Sequence, residues 1–452
     1  MKTLKSGASI QVVPVKLLAI IFLLSITFSC NKQHCDSCEF SLTPESGTVA
    51  TDWYKLQVRI LLNANPATNN ATNFDNFGYI GVGLYEAVRP GIPGSVSLSK
   101  KLQQMPAMPD LEANERYLWA ASANAALASL VRLLYVGLTD ANKASIDSLE
   151  NAYNQRLSTT VKEDVFRRSQ GYGRAVATTI FNWSKTDNYI VSNAGYVPPV
   201  FPGAWEPAYP AFASAASPFV KDARLFLEAN STLTAPPVPF PYSEDPSSDF
   251  YKMVKELYDI SKTLTEEQIT MANWWADVGV GKGYTPPGHD VNLVTQALTK
   301  INANLSRAAT LYSKAGIAMR DGYITLWKMK YQYNLLRPVT YIRKVIDPNW
   351  QPLIPTPAHP EYPAAHAYLS KAVMQVLTRE LTNPNEITSF TDSTYTFLGY
   401  APRHYSSFTK VAEECAMSRV YGGVHYVNSV EVGLSLGKKV GDNAADINLT
   451  NY

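Results

Sequence analysis

The feature that most constrains this chain is a spacing. Apolar residues return every third or fourth position through most of its length, as in "NERYLWAASANAALASLVRLLYV" (114–136) and "EDVFRRSQGYGRAVATTIFNWS" (163–184). That period belongs to amphipathic helices, and the Val/Thr-rich alternation of strands is scarce. The same spacing marks "DWYKLQVRILLNA" (52–64), "FGYIGVGLYEAV" (77–88), "NKASIDSLENAYNQRL" (142–157), "SDFYKMVKELYDISKTL" (248–264) and "EEQITMANWWADV" (266–278). It continues through a long stretch near 290–336, then 364–380, 407–421 and 429–440. The expected fold class is mainly α. At 452 residues, 46% of them hydrophobic, such helices can close around a large core, as one big domain or two halves sharing an interface. Net charge is +2 and no long basic run occurs, which argues against nucleic acid as a partner.

Two regions depart from the pattern. Residues 195–246 are crowded with proline ("YVPPVFPGAWEPAYP", "APPVPFPYSEDP"), and a long irregular segment inside a compact chain either wraps a cleft mouth or links two halves. At the N-terminus, Lys2, Lys5 and Lys16 precede the apolar run "LLAIIFLLSITF" (17–28), too short to span a bilayer comfortably and suited to the apolar region of a signal peptide. Ser29-Cys30 then resembles a lipoprotein cleavage site, which implies export, a lipid anchor on Cys30, and a periplasmic or outer-surface location in a bacterium. Cys35 and Cys38 in "HCDSC" form a disulfide or stand as idle thiols in a tether, since His34 and these two would need a distant fourth ligand to hold a metal. The expected organisation is a leader at 1–30, a tether at 31–48, a helical half with the Pro-rich segment at 49–246, and a second helical half at 247–452 that carries the site.

Three segments of that second half concentrate cations and histidines. In "KMKYQYNLLRP" (328–338), Lys330 and Arg337 are two helical turns apart, which predicts one shared helix face with Pro338 ending the helix. In "HPEYPAAHAYLS" (359–370), Pro363 suits the first helical position. The free N–H groups of that turn make a natural anion site with His366 on its rim, although the segment taken alone reads more readily as a capped helix with a surface histidine. In "MSRVYGGVHYVNSVEVG" (417–433), Gly422-Gly423 break a helix and let Arg419 and His425 converge, and Asn428 with Glu431 looks like a cap restarting it. Each segment alone is weak. Together they describe a pocket for a tetrahedral oxyanion, with guanidinium groups for bidentate contacts, a lysine point charge and a histidine nitrogen for the central atom.

The three segments resemble the signature of the type 2 phosphatidic acid phosphatase and vanadium-dependent haloperoxidase superfamily: Lys-x6-Arg-Pro, Pro-Ser-Gly-His and Ser-Arg-x5-His-x3-Asp. Lys330, Arg337, Pro338, Pro363, His366, Ser418, Arg419 and His425 match. "ANWWADVGVGKGYTPPGH" (272–289), "YNLLRPVTYIR" (333–343) and "YGGVH" (421–425) are similar to the soluble haloperoxidase-like branch, and the resemblance runs through most of 50–445. It implies an architecture of two helical bundles. Two positions depart. Ala364 stands where the pattern has serine, removing a hydroxyl donor, while Ala365 keeps the backbone N–H that the glycine provides. Ser429 stands where an aspartate supports the bonding histidine, so that Glu431 or a backbone carbonyl would have to substitute.

For a haloperoxidase the resemblance implies vanadate as cofactor, ligated by His425, with Lys330, Arg337 and Arg419 balancing its oxygens. His366 would be the acid–base toward hydrogen peroxide, Lys330 would polarise the peroxide, and a halide would be oxidised for delivery to an organic acceptor. For a phosphatase it implies a phosphohistidine on His425, with His366 protonating the leaving alcohol of a phosphate ester. The length and flanking text favour the first. A third reading, a scaffold whose site has decayed, fits Ala364 and Ser429 but not the retention of Lys330, both arginines and both histidines. His359 falls where algal bromoperoxidases have histidine, which implies bromide or iodide, against the plainer reading of a loop histidine before proline. Asp277 would either pair with Arg419 or sit as a surface carboxylate at a helix end.

Overall fold

The computed structural model describes residues 45–64, 68–279, 282–382 and 387–450. The expected leader, the expected lipidation site at Cys30 and the Cys35–Cys38 pair lie outside them. The chain is mainly α, as its spacing predicts. The first half forms α1 (Thr48–Leu62), α2 (Asn70–Val88), α3 (Trp119–Leu134), α4 (Asp140–Ser158) and α5 (Glu163–Ser184). The second forms α6 (Asp249–Lys262), α7 (Glu266–Trp274), α8 (Pro286–Lys300), α9 (Leu305–Tyr333), α10 (Pro338–Val345), α11 (Ala365–Leu381), α12 (Phe408–Tyr421) and α13 (Val427–Ala445). One antiparallel pair of short strands, β1 (Phe390–Asp392) and β2 (Arg403–Tyr405), joins α11 to α12. No described helix is long and apolar enough to cross a membrane.

The axis of the fold is α9, whose residues are buried around almost its whole circumference. It packs against α1 and α2 on one side and α11 and α13 on the other, so the helical bundles share it. A helix surrounded in this way cannot be amphipathic, and it carries its polar residues inward with partners. Arg320 bonds Asp75 at 2.7 Å and Asp187 at 2.5 Å, while Asp321 accepts the Phe226 and Leu227 N–H groups and the Asn230 amide. The Asp321 bonds fasten the interior of the Pro-rich segment, at Phe226–Asn230, to α9. The segment itself contains no α-helix, and its Ala216 carbonyl accepts from Trp327 and Tyr331 of α9.

Close approach of α11 and α13 depends on a stripe of glycines. A Cβ on Gly433, Gly437 or Gly441 of α13 would collide with the carbonyl oxygens of Ala364, Tyr368 or Ala372 on α11. No other residue type leaves room for that contact.

Three helix boundaries differ from their sequence expectation. The stretch near 290–336 is two helices, and α9 stops at Asn334 in the left-handed conformation (φ 47°). Pro338 therefore opens α10 with Arg337 as its N-cap, and Lys330 and Arg337 do not share a helix. A proline fits a first helical turn as well as it ends a preceding one, and here the first role prevails. Likewise Ala364 is the N-cap of α11, leaving Pro363 just outside, and Tyr426 caps α13 with Asn428 inside it. The glycine break after α12 is as expected, with Gly423 at φ 76°.

Candidate active site

The breaks between these helices meet at one cavity of about 380 Å³. His359, His366, Arg419, His425, Asp277 and Ala365 all line it. Lys330 and Arg337 stand directly behind its wall, fully buried. Lys330 donates to the carbonyls of Pro360 (2.8 Å) and Glu361 (2.9 Å). Arg337 donates to the carbonyls of His359 (2.8 Å) and Val424 (2.9 Å), and its two terminal nitrogens lie 3.2 Å from His425 Nε2 and 3.1 Å from His359 Nδ1. The order of the motifs in the chain thus becomes a stack in space, from α9–α10 through the 359–361 backbone to the His425 loop.

His425 is oriented by a residue the sequence reading missed. Its Nδ1 lies 2.7 Å from Glu361 Oε1, and burial followed by the Arg337, Lys330 and Arg419 charges pushes the imidazole well below its usual range. A neutral ring beside that carboxylate carries its proton on Nδ1, so the Nε2 lone pair is free to accept from Arg337 or to bond a ligand. Glu361 therefore takes the role of the aspartate absent at Ser429, while Glu431 is exposed on α13. Burial raises the Glu361 carboxyl to about 7, with Lys330 and Arg337 opposing.

Arg419 donates to the Trp275 carbonyl (2.8 Å), and its Nε has no protein partner although buried. Asp277 does not pair with it by a hydrogen bond, nor is it a surface group. Just beyond α7, at φ 50°, it is buried and accepts from Tyr395 (2.6 Å) and from two histidines, His289 (2.9 Å) and His366 (3.2 Å). Burial would raise its carboxyl, but His289 and His366 hold it below the usual range. His366 sits in the first turn of α11 with its side chain 12% exposed. Burial and Arg419 push it down to about 4 against the pull of Asp277, so it is neutral near pH 7. His359, buried and tilted against Trp327, faces the same cavity.

This arrangement places Lys330 and Arg337 beside Glu361 and Arg419 within the field of Asp277, and it satisfies all three mostly with neutral carbonyls. Buried cations so poorly balanced are costly unless an anion completes the set. Fold and site together define a helical protein whose histidines and buried basic side chains gather at one cavity. Residues 344–450 match the family described as the VCPO second helical-bundle domain. The structure described as the first bacterial vanadium-dependent iodoperoxidase superimposes with a TM-score of 0.80 at 29% identity, covering 90% of this chain and 98% of that one. A holo-type bacterial vanadium-dependent chloroperoxidase superimposes at 0.64 and 18% identity over 90% and 98% of the two chains. Its apo-type counterpart does so at 0.61 and 18% over 83% and 92%. At that identity both show a shared fold. No curated protein sequence matches the chain. The family match over residues 344–450 and these superpositions together support a likeness to the vanadium-dependent haloperoxidase and type 2 phosphatidic acid phosphatase superfamily.

Proposed function

We propose that this protein is a vanadium-dependent haloperoxidase that oxidises iodide or bromide with hydrogen peroxide. The observation that carries the reading is the gathering of Lys330, Arg337 and Arg419 about a neutral histidine whose unprotonated Nε2 meets Arg337 at the cavity wall. The residues fit vanadate. His425 Nε2 would bond its central atom. The orphaned Arg419 Nε and the first-turn N–H groups of α11 at Ala365 and His366 would meet its oxygens, since such N–H groups have no partner within the helix, and Arg337 and Lys330 would balance its charge from behind the wall. Vanadate, when bound, supplies a Lewis-acidic centre that activates hydrogen peroxide for two-electron oxidation of a halide.

The chain's own groups handle the protons. Asp277 is a carboxylate, so its bond to His366 Nε2 carries the histidine's proton, which leaves Nδ1 to accept one from the incoming peroxide. Because His366 is neutral at the start, it acts first as a base and afterwards as an acid. The bacterial iodoperoxidase likeness and His359 beside Arg337 both support iodide or bromide as the halide. We also propose export with lipid on Cys30, and membrane retention of a Cys30→Ser variant with unchanged processing would refute that part.

The test loads metal-free protein with vanadate and measures peroxide-dependent iodide and bromide oxidation, with phosphate as competitor and a phosphate ester as second substrate. Vanadate-dependent oxidation suppressed by phosphate supports the reading. Inertness with every halide, together with ester hydrolysis by the metal-free protein, gives the site to phosphatase chemistry.

A further inference from the structure

We infer that His289 is a positioning residue of this site: clamped between Asp277 and Asp392, it bears protons on both ring nitrogens and fixes Asp277 so that the far oxygen of that carboxylate holds His366. The geometry is direct. His289 Nδ1 lies 2.9 Å from Asp277 Oδ1, and Nε2 lies 3.2 Å from Asp392 Oδ2. Both carboxylates have further donors. Tyr395 bonds Asp277, while the Thr394 N–H (2.8 Å), the Trp274 indole (3.0 Å) and Gln296 bond Asp392. With a carboxylate at each nitrogen, only the imidazolium satisfies both contacts. The ring lies flat on Trp275, 4.3 Å between centroids at 15°, the arrangement in which an aromatic face favours a cation. Trp275 also gives its carbonyl to Arg419, so one residue contacts both His289 and Arg419.

The charged and titratable groups around this ring are Asp277 after α7, the adjacent Asp290 on α8, Asp392 on β1, Tyr395 beyond it, and His366 on α11. Burial would lower the His289 pKa, yet the two carboxylates raise it to about 10, in line with the clamp. What the clamp does for His366 follows from charge. A bare Asp277 would pull His366 toward imidazolium and remove the base. Paired with His289, Asp277 can orient His366 through Oδ2 while leaving it neutral, and the His289 charge itself opposes protonation of His366. Asp277 thus aims the ring without charging it.

The inference rests on the proposed function only for its kinetic consequence, so the experiment has two arms. In the first, metal-free full-length protein is labelled with ¹⁵N-histidine, and its six histidines are followed by NMR. One histidine should stay protonated on both nitrogens up to about pH 9 and vanish in His289→Gln. His366, assigned by its own loss in His366→Gln, should titrate about one unit higher in His289→Gln than in the parent. A singly protonated His289 at neutral pH, or an unmoved His366 midpoint, overturns the inference. Should His289→Gln fail to fold, Asp392→Asn loosens the outer half of the clamp and should move the same His366 midpoint upward. In the second arm, turnover of vanadate-loaded His289→Gln should fall ~10–100-fold, the acid limb of its pH profile moving up, with vanadate retention within about twofold. Equal losses in turnover and retention would mark a merely structural role. If no halide is oxidised by the parent, the haloperoxidase reading fails and the NMR arm still decides the position of His289.

Discussion

The two ends of the site, one lining the cavity at His425 and one behind Asp277 at His289, each set a buried histidine beside carboxylate and obtain opposite charge states. At one end His425 meets Glu361, but Lys330, Arg337 and Arg419 crowd the same space and drive the ring neutral. At the other, His289 meets Asp277 and Asp392, and their two charges keep the ring cationic. His366 lies between these fields and is neutral near pH 7 because Arg419 and burial outweigh Asp277. A histidine's role here is therefore fixed by the balance of formal charges within the surrounding shell, not by the presence of an acidic neighbour. A lone-pair donor requires the cationic end, and an immobile charge requires the acidic one.

The sharpest way to break this comparison is to delete one histidine from each role. His425→Ala should abolish vanadate retention in equilibrium dialysis. His366→Ala should retain vanadate and lose ~10²–10⁴-fold in turnover, the usual worth of acid–base assistance. Similar losses of retention in both would erase the distinction between the ends. Next in size is Glu361→Gln, which preserves shape but removes the charge opposing three cations. It should weaken vanadate retention ~10–100-fold, as expected for the partner that orients a ligand. Unchanged retention would show that the Glu361 charge is dispensable, since the Gln carbonyl oxygen still accepts from Nδ1.

A smaller effect tests the acidic end through stability. Asp290 lines the cavity, is bonded by Ser370 at 2.8 Å, and is raised by burial to about 7. A carboxyl raised on folding binds more protons in the native state, so its contribution to stability is full below the unfolded value near 4 and is lost as pH rises through 7. Asp290→Asn should abolish that slope and be more stable than the parent above neutrality by on the order of 2–4 kcal/mol, measured by urea unfolding across pH. Parallel pH curves for the two proteins would refute it.

The smallest effect concerns Ala364, an N-cap with no side-chain hydrogen bond. Ala364→Ser can cap α11, adding ~0.5–2 kcal/mol, or donate to the oxyanion. Thermal unfolding of the metal-free protein reads the first and vanadate titration the second. No change in either would show that the hydroxyl has no acceptor in reach.

How much of this was legible in the sequence differs between the two ends. Helical periodicity gave the fold class, and the paired cations and histidines of 330–425 announced an anion site, because those residue types keep their chemistry wherever the chain turns. Glu361 stood in view between His359 and His366, yet its partner lies 64 residues away, a contact that no local period encodes. The available signal was physical: a carboxylate among prolines, between two histidines of an expected anion site, must find a hydrogen-bonded partner. His289 was equally visible in "YTPPGH" and went without a role for the same reason. Helix boundaries at Pro338, Pro363 and Asn428 misled because proline and asparagine serve either side of a helix end, and packing rather than propensity chooses the side.

The glycine stripe on α13 bears on what the cavity can become. It seats α13 against α11 at backbone distance, so the helix that follows His425 and the helix that carries His366 have no slack between them. Enlarging a side chain there separates the two histidines before it reshapes anything else. Any change in what the cavity admits must instead be written in its irregular walls, the Pro-rich stretch at Ala216 and Ser217 and the loop through Pro355, Pro357 and His359. The chemistry is held by helices that cannot drift, while selectivity is left to segments that can be rewritten without disturbing them.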